Sequence, residues 1–147
     1  MALGVTTVIR PFEGGDAVKA IMLWRSTEWA SVSASDSPDE IAKFLQRNPE
    51  CSWVAEDNGR LLGTVLCGHD ARRGYIYHLV VDEDHRESGI GRQLLERALD
   101  SLRSVGILKC HAIVIDHNPA AEFFWSRLGW EMQGTSQYSV ILERDDG

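Results

Sequence analysis

Apolar residues recur at Ile90, Leu94, Leu95, Ala98, Leu99, Leu102 and Val105, the spacing of one helix face. Before them, Tyr75 to Asp82 is rich in aromatic and β-branched residues and reads as a strand. Gly89 and Gly91 lie in the short turn between the two. Strand end, glycine turn and amphipathic helix, from Val80 to Val105, form the element around which the rest is arranged. Upstream, Val5 to Arg10 reads as a strand stopped by Pro11. Ala17 to Trp29 reads as a helix with Ala17, Ile21 and Trp24 on one side and Asp16 as a candidate cap. Ser31 to Asp36 is a small polar loop. Ser37-Pro38-Asp39-Glu40 opens a second helix with a capping box and Pro in the first turn. Ile41, Phe44 and Leu45 give that helix its apolar side, and it ends before Pro49. Cys51 to Glu56 and Leu61 to Cys67 are strands joined by Asp57-Asn58-Gly59-Arg60, and Asn-Gly is a strong hairpin signal. Gly68 to Gly74 is a turn. Lys109 to Ile115 is a further strand whose Ile-Val-Ile run reads as buried. A helix follows Asn118. Trp130 to Gln133 and Gln137 to Leu142 read as a closing hairpin around Gly134, before a solvated tail. Antiparallel strands followed by a strand–helix–strand unit predict a mixed sheet in an α+β fold.

At 147 residues one domain is the default, and 44% hydrophobic with 25% charged residues is the balance of a soluble globular chain. Lys plus Arg number 15 against 22 Asp plus Glu, a net charge of −7. That balance argues against generic nucleic-acid binding, which needs a basic face, and mildly favours cationic partners such as amines. Cys51, Cys67 and Cys110 are isolated, without a disulfide framework or paired metal spacing, as expected in a reducing cytoplasm. No basic-then-apolar leader and no membrane-length apolar run is present, so neither secretion nor membrane insertion is expected.

The glycine turn carries the chemistry. The first amides of a helix lack internal partners and bear partial positive charge, so they bind anions, phosphate above all. Arg86, at the head of Arg86-x-x-Gly89-x-Gly91, adds a full charge. A P-loop needs Lys-Ser/Thr after its last glycine, and here Arg92 and Gln93 follow Gly91. A dinucleotide turn needs a third glycine where Leu94 stands. The pattern, with Leu79-x-Val81 before it, resembles the acetyl-CoA loop of the GCN5-related N-acetyltransferases (GNAT). Asn118-x-x-Ala121-x-x-Phe124-Trp125-x-x-Leu128-Gly129-Trp130 is similar to that family's second signature, at the right separation. The stretch Gly68 to Val81 further resembles the small YpeA-like bacterial branch.

The resemblance spans nearly the whole chain. It implies a single GNAT domain over residues 1–147, with a mixed, mostly antiparallel sheet of six to seven strands and about four helices. It implies an acetyl-CoA-dependent N-acetyltransferase that passes acetyl directly to a primary amine, on a small molecule or on a protein or peptide. Coenzyme A would lie on the amides of Glu87, Ser88, Gly89, Ile90, Gly91 and Arg92, with Arg86 heading the loop and Glu87 turned to solvent. Its pantetheine arm would pair with the strand edge Leu79, Val80 and Val81. Asn118 matches a coenzyme-contacting position and is equally a helix N-cap; the two roles can coexist. Trp24, Trp29 and the Ser-rich loop would border the acceptor.

An alkylammonium must lose a proton before it attacks. The family's usual Glu has no counterpart, since Ile113 stands near that position. His78 is the preferred base or water-positioning residue, because an imidazole titrates near working pH; a structural histidine is the competing reading. Strand alternation places His78 and Asp82 on one face and Tyr75 and Tyr77 on the other, unless a bulge shifts the register. Trp125 replaces the Tyr that commonly protonates the departing thiolate. An indole N–H can donate a hydrogen bond to sulfur but is no proton acid near neutrality. That departure sustains an alternative, a catalytically weak coenzyme A or acyl-CoA-binding regulatory module. No metal is expected, since His111, Asp116 and His117 lack ligand spacing. Monomer and homodimer both remain open.

Overall fold

The computed structural model describes residues 6–28, 30–115 and 117–143. The chain divides into two compact units, residues 1–113 and 114–147. In the first, five strands form one sheet in the order β1-β2-β3-β4-β5: β1 Thr7–Pro11, β2 Trp53–Asp57, β3 Arg60–His69, β4 Gly74–Val81 and β5 Cys110–Ala112. The first four are antiparallel neighbours, and β5 runs parallel to β4. The α+β class stands, with five strands among the described residues instead of six to seven.

Helices cover both faces. α1 (Ala17–Arg25) and α2 (Pro38–Arg47) bury Ala20, Ile21, Trp24 and Ile41 against Phe12, Val54, Leu66 and Val80. α1 stops at Arg25, short of the expected end; Trp29 lies outside the described residues. α2 starts as its sequence directs, with Ser37 Oγ accepting from the Glu40 amide at 3.3 Å and Pro38 in the first turn. Asp16 does not cap α1. Its carboxylate instead accepts both Arg10 Nη1 and Nη2 at 2.8 Å, and the Glu13 amide at 2.9 Å. Asn58 (φ 50) and Gly59 (φ 83) form the tight turn between β2 and β3, as the Asn-Gly pair predicts.

α3 (Ile90–Ser104) covers the opposite face. Leu94, Leu95, Ala98 and Leu102 are all under 4% exposed, so that part of the periodic stripe is buried, while Val105, expected on the same face, is the C-cap and 55% exposed. Its start is set by a missing side chain: a Cβ on Gly63 would lie 3.0 Å from Leu94 Cδ1 and 3.2 Å from Ile90 Cγ2. The glycine of β3 therefore lets the N-terminus of α3 press onto the sheet. α3 closes through Gly106 (φ 81), with the Gly106 amide on Arg103 O and the Ile107 amide on Leu102 O. This is a Schellman end with its apolar contact between Leu102 and Ile107, both buried.

The strand expected over Lys109–Ile115 is pared to Cys110–Ala112. It pairs with Gly74–Ile76 only. Ile113, Val114 and Ile115 lie in no strand and are 37% to 52% exposed.

In the second unit α4 (Pro119–Arg127) is capped by Asn118, whose Oδ1 accepts the Ala121 amide at 3.2 Å. The closing hairpin is not formed: residues 130–142 contain no strand. Tyr138, Val140, Ile141 and Leu142 are 70% to 95% exposed. An isolated pair of short strands is marginal in water, and apolar alternation alone does not make one.

Candidate functional site

The turn from β4 into α3 is built from backbone. After a 3-10 turn at Glu83–His85, the chain passes through Glu87 (φ 64) and Gly89 (φ 89), both left-handed. Gly89 is the N-cap of α3 and carries no side-chain cap. The Gln93 amide, on Gly89 O at 3.1 Å, is the first to find a helical partner. Among the described residues, no protein acceptor meets the six amides from Glu87 to Arg92. Such a run, with the helix dipole behind it, is suited to accept an anion. Arg86 is exposed, its Nε on Val81 O at 3.3 Å, and its terminal nitrogens have no partner among the described residues. Glu87 is exposed, as expected. Ser88 Oγ donates to His85 O and Asp82 takes Arg60 Nη2 at 2.7 Å and His85 Nδ1 at 3.0 Å, which brace the turn from behind. Ile90 is buried, while Arg92 is exposed against Glu96 at 3.3 Å. A groove of about 400 Å³ runs from Gly89 along α3 past Arg92 and Gln93 to Asp100.

The edge that leads to this loop is free. β4 pairs with β5 over three residues, Gly74 to Ile76, and with β3 along its other side up to Val81. From Tyr77 to Val81, including Leu79 and Val80, the outer edge of β4 has no strand partner among the described residues. Extended ligands with amide groups can add to such an edge.

The bulge decides where His78 points. Leu66 pairs with Tyr77 and Thr64 with Val80, so His78 and Leu79 together oppose Val65. His78 takes φ 45, a costly conformation for a residue with a side chain. The register shift puts Tyr77 and His78 on the same, α1/α2 side, contrary to simple alternation. Tyr77 meets Phe44 edge-on at 6.2 Å, and its hydroxyl pKa is raised by burial and by the neighbouring Tyr75 and Asp70. The imidazole of His78 stacks on Trp24, with centroids 3.9 Å apart and planes within 9°. Its Nε2 lies 3.0 Å from Asp36 Oδ1. Thr64 Oγ1 accepts from Trp24 Nε1 and donates to His78 O, both at 2.8 Å. Trp24 is fully buried, so it backs the histidine and does not itself border open space.

Asp36 and Thr64 were not singled out as site residues by sequence. The signal within reach was local: Ser33 and Asp36 fit a capping box, and Asp36 does close the 3-10 turn Ala34–Asp36. Nothing in the sequence connects that turn to position 78.

The second signature has a local structural cause. Gly129 (φ 83) ends α4, with its amide on Ser126 O and the Trp130 amide on Trp125 O. This is a second Schellman end, and Trp125 and Trp130 supply its apolar contact at 4.5 Å between centroids. Leu-Gly-Trp is thus a helix stop with an aromatic clasp. His69, Asp70 and Arg73 belong to a solvated turn in which Asp70 Oδ1 accepts the Arg72 and Arg73 amides. Those amides hold the Asp70 carboxyl below its ordinary range. The thiols of Cys67 and Cys110 are poor nucleophiles: the first is pushed up by its Cys51 partner and burial, the second to about 11 by burial. Among the described residues no cluster of three or more His, Cys, Asp or Glu is arranged for a metal, and no helix is long and apolar enough to cross a membrane.

The model of the acetyltransferase (GNAT) family matches residues 18–130. The chain belongs to this family and is an N-acetyltransferase. It is 32% identical over 131 residues to an uncharacterised N-acetyltransferase of Yersinia pestis, covering 86% of this chain and 89% of that protein. Its fold is similar to the PaiA N-acetyltransferase of Thermoplasma acidophilum, solved in complex with coenzyme A, with TM-score 0.77, 19% identity and coverage of 90% and 94%. Ard1 of Thermoplasma volcanium is similar at TM-score 0.74 and 21% identity, covering 88% of this chain and 86% of that one.

Proposed function

We propose that the protein transfers the acetyl group of acetyl-CoA directly to a primary amine, and that His78 takes the amine proton. The observation that carries the reading is the run of six unpartnered amides, Glu87 to Arg92, continuous with a free strand edge. A phosphate-bearing ligand with an amide-containing arm suits both halves of that surface. The pyrophosphate would rest on the amides, with Arg86 beside it and Glu87 in solvent. The arm would lie along Leu79 to Val81.

Acetyl-CoA supplies an activated thioester. The protein holds it, brings an amine to the same carbonyl, and accepts a proton as the new N–C bond forms and the C–S bond breaks. His78 stands at the bulge, where the free edge begins, and an imidazole is the side chain suited to proton transfer near neutrality. Trp125 clasps Trp130 and offers at most a hydrogen bond, so water returns a proton to the leaving thiolate, whose ordinary pKa near 8.5 makes it a tolerable leaving group. Asn118 caps α4, and a coenzyme contact through its remaining N–H groups is compatible with that cap. The acidic balance of the chain, −7, favours a cationic acceptor.

The test is thermal unfolding with acetyl-CoA, coenzyme A, NAD and ATP in parallel, followed by thiol release with a panel of amines. A ligand at about a hundred times its Kd adds roughly 2.7 kcal/mol of stability. A shift with acetyl-CoA and coenzyme A alone, and thiol release with an amine, is expected. A shift with NAD or ATP but neither coenzyme species overturns the assignment of the loop.

A further inference from the structure

We infer that Asp36, from the turn between α1 and α2, is a positioning residue that holds His78 with its hydrogen on Nε2 and its proton-accepting lone pair on Nδ1. The inference rests on the reading of His78 as the base and adds the residue that aims it.

Asp36 spends both carboxylate oxygens. Oδ2 accepts the Ser33 amide at 2.9 Å, which closes the turn, and Oδ1 faces His78 Nε2 at 3.0 Å. An ionised carboxylate only accepts, so Nε2 must carry the hydrogen. A neutral imidazole has one N–H, which leaves Nδ1 as the basic atom. Among the described residues Nδ1 has no protein partner. One ring nitrogen is thus anchored by a carboxylate, and among the described residues no protein group claims the other.

The pair is shielded, with side chains 15% and 13% exposed, so the charge on Asp36 acts through little water. When Nδ1 takes a proton, the imidazolium gains a charge-assisted hydrogen bond at Nε2 and the face of the Trp24 ring behind it. Thr64 Oγ1 donates to the His78 carbonyl and fixes the backbone at the bulge. Among the described residues His78 meets Asp36 from the turn, Trp24 from α1 and Thr64 from β3, and of these Asp36 is the ionisable one.

The experiment is NMR of the full chain labelled with 15N at histidine, the ring signals of His78 assigned by their loss in H78Q and followed through the imidazole titration range. The wild-type protein should show Nε2–H in the neutral form. D36A removes the acceptor, so the Nε2 hydrogen should lose its downfield, hydrogen-bonded 1H shift and exchange faster with water. S33A keeps the carboxylate, and its His78 Nε2–H signal should match wild type. An Nδ1–H tautomer in the wild type, or an Nε2–H signal unmoved in a folded D36A protein, overturns the inference and leaves the acetyl-CoA reading standing. If the NMR results hold but H78Q retains full turnover, the base reading falls and the inference with it.

Discussion

The two ends of the β4 outer edge solve different problems by different means. At the C-terminal end, the turn into α3 presents main-chain amides, and the side chains there are exposed or face away. At the bulge, the backbone is strained and the work falls to side chains: His78, Trp24, Thr64 and Asp36, drawn from β4, α1, β3 and the α1–α2 turn. An amide surface made of backbone is indifferent to the side chains of Glu87 and Ser88, whereas an arrangement of four side chains depends on each of them.

The largest expected effect tests the backbone end. Gly91→Glu places a carboxylate among the amides; Gly91 lacks the positive φ of Gly89, so the helix should survive the change. Acetyl-CoA should then give no thermal shift while the variant stays folded. Tight binding in that variant would remove the loop from the site. Next comes His78→Ala, which should lower turnover about 10²- to 10⁴-fold with acetyl-CoA binding retained. Steady-state kinetics and the thermal shift together separate the two, since loss of both would make His78 part of the coenzyme site or of the fold.

Smaller effects sharpen the scaffold on which both ends rest. Gly74→Ala would drive its Cβ into Leu102 Cδ1 at the point where α3 closes over the β4–β5 pair. Such overpacking costs roughly 1–3 kcal/mol. Denaturant unfolding should show that loss, and an unchanged midpoint would mean that α3 can shift away.

The smallest concerns acid. Burial by itself would raise the Asp16 pKa, but the two-pronged Arg10 contact and the Glu13 amide outweigh it, and the net direction is down. A carboxyl depressed in the folded state contributes stability above its ordinary value of 3.8, and that contribution fades as pH falls through the lower folded value. Arg10→Met should therefore cost stability at neutral pH, and the difference from wild type should narrow in acid. A pH-independent difference would assign Arg10 to packing alone.

The local signals held where their physics is local. The stripe of α3, the Ser37-Pro38 start of α2, the Asn58-Gly59 turn and the cap at Asn118 each depend on neighbours within a few residues. All four formed as their residue types direct. The glycine turn belongs with them, since amides without helical partners and a left-handed Gly89 follow from a strand running into a helix. Expectations that required a partner from elsewhere did worse. The apolar run Ile113 to Ile115 has strand character but no ladder, and the hairpin expected over residues 130–142 did not form.

His78 shows the divide within one residue. The order of residues places an imidazole on the strand that leads into the glycine turn and gives the chain the layout of an acetyltransferase. Pairing between distant strands sets which way the imidazole faces. One extra residue in β4 opposite Val65 turns it toward α1, and a carboxylate 42 positions upstream meets it. Strand pairing and register are set by contacts remote in sequence, so no local pattern could have joined Asp36 to His78.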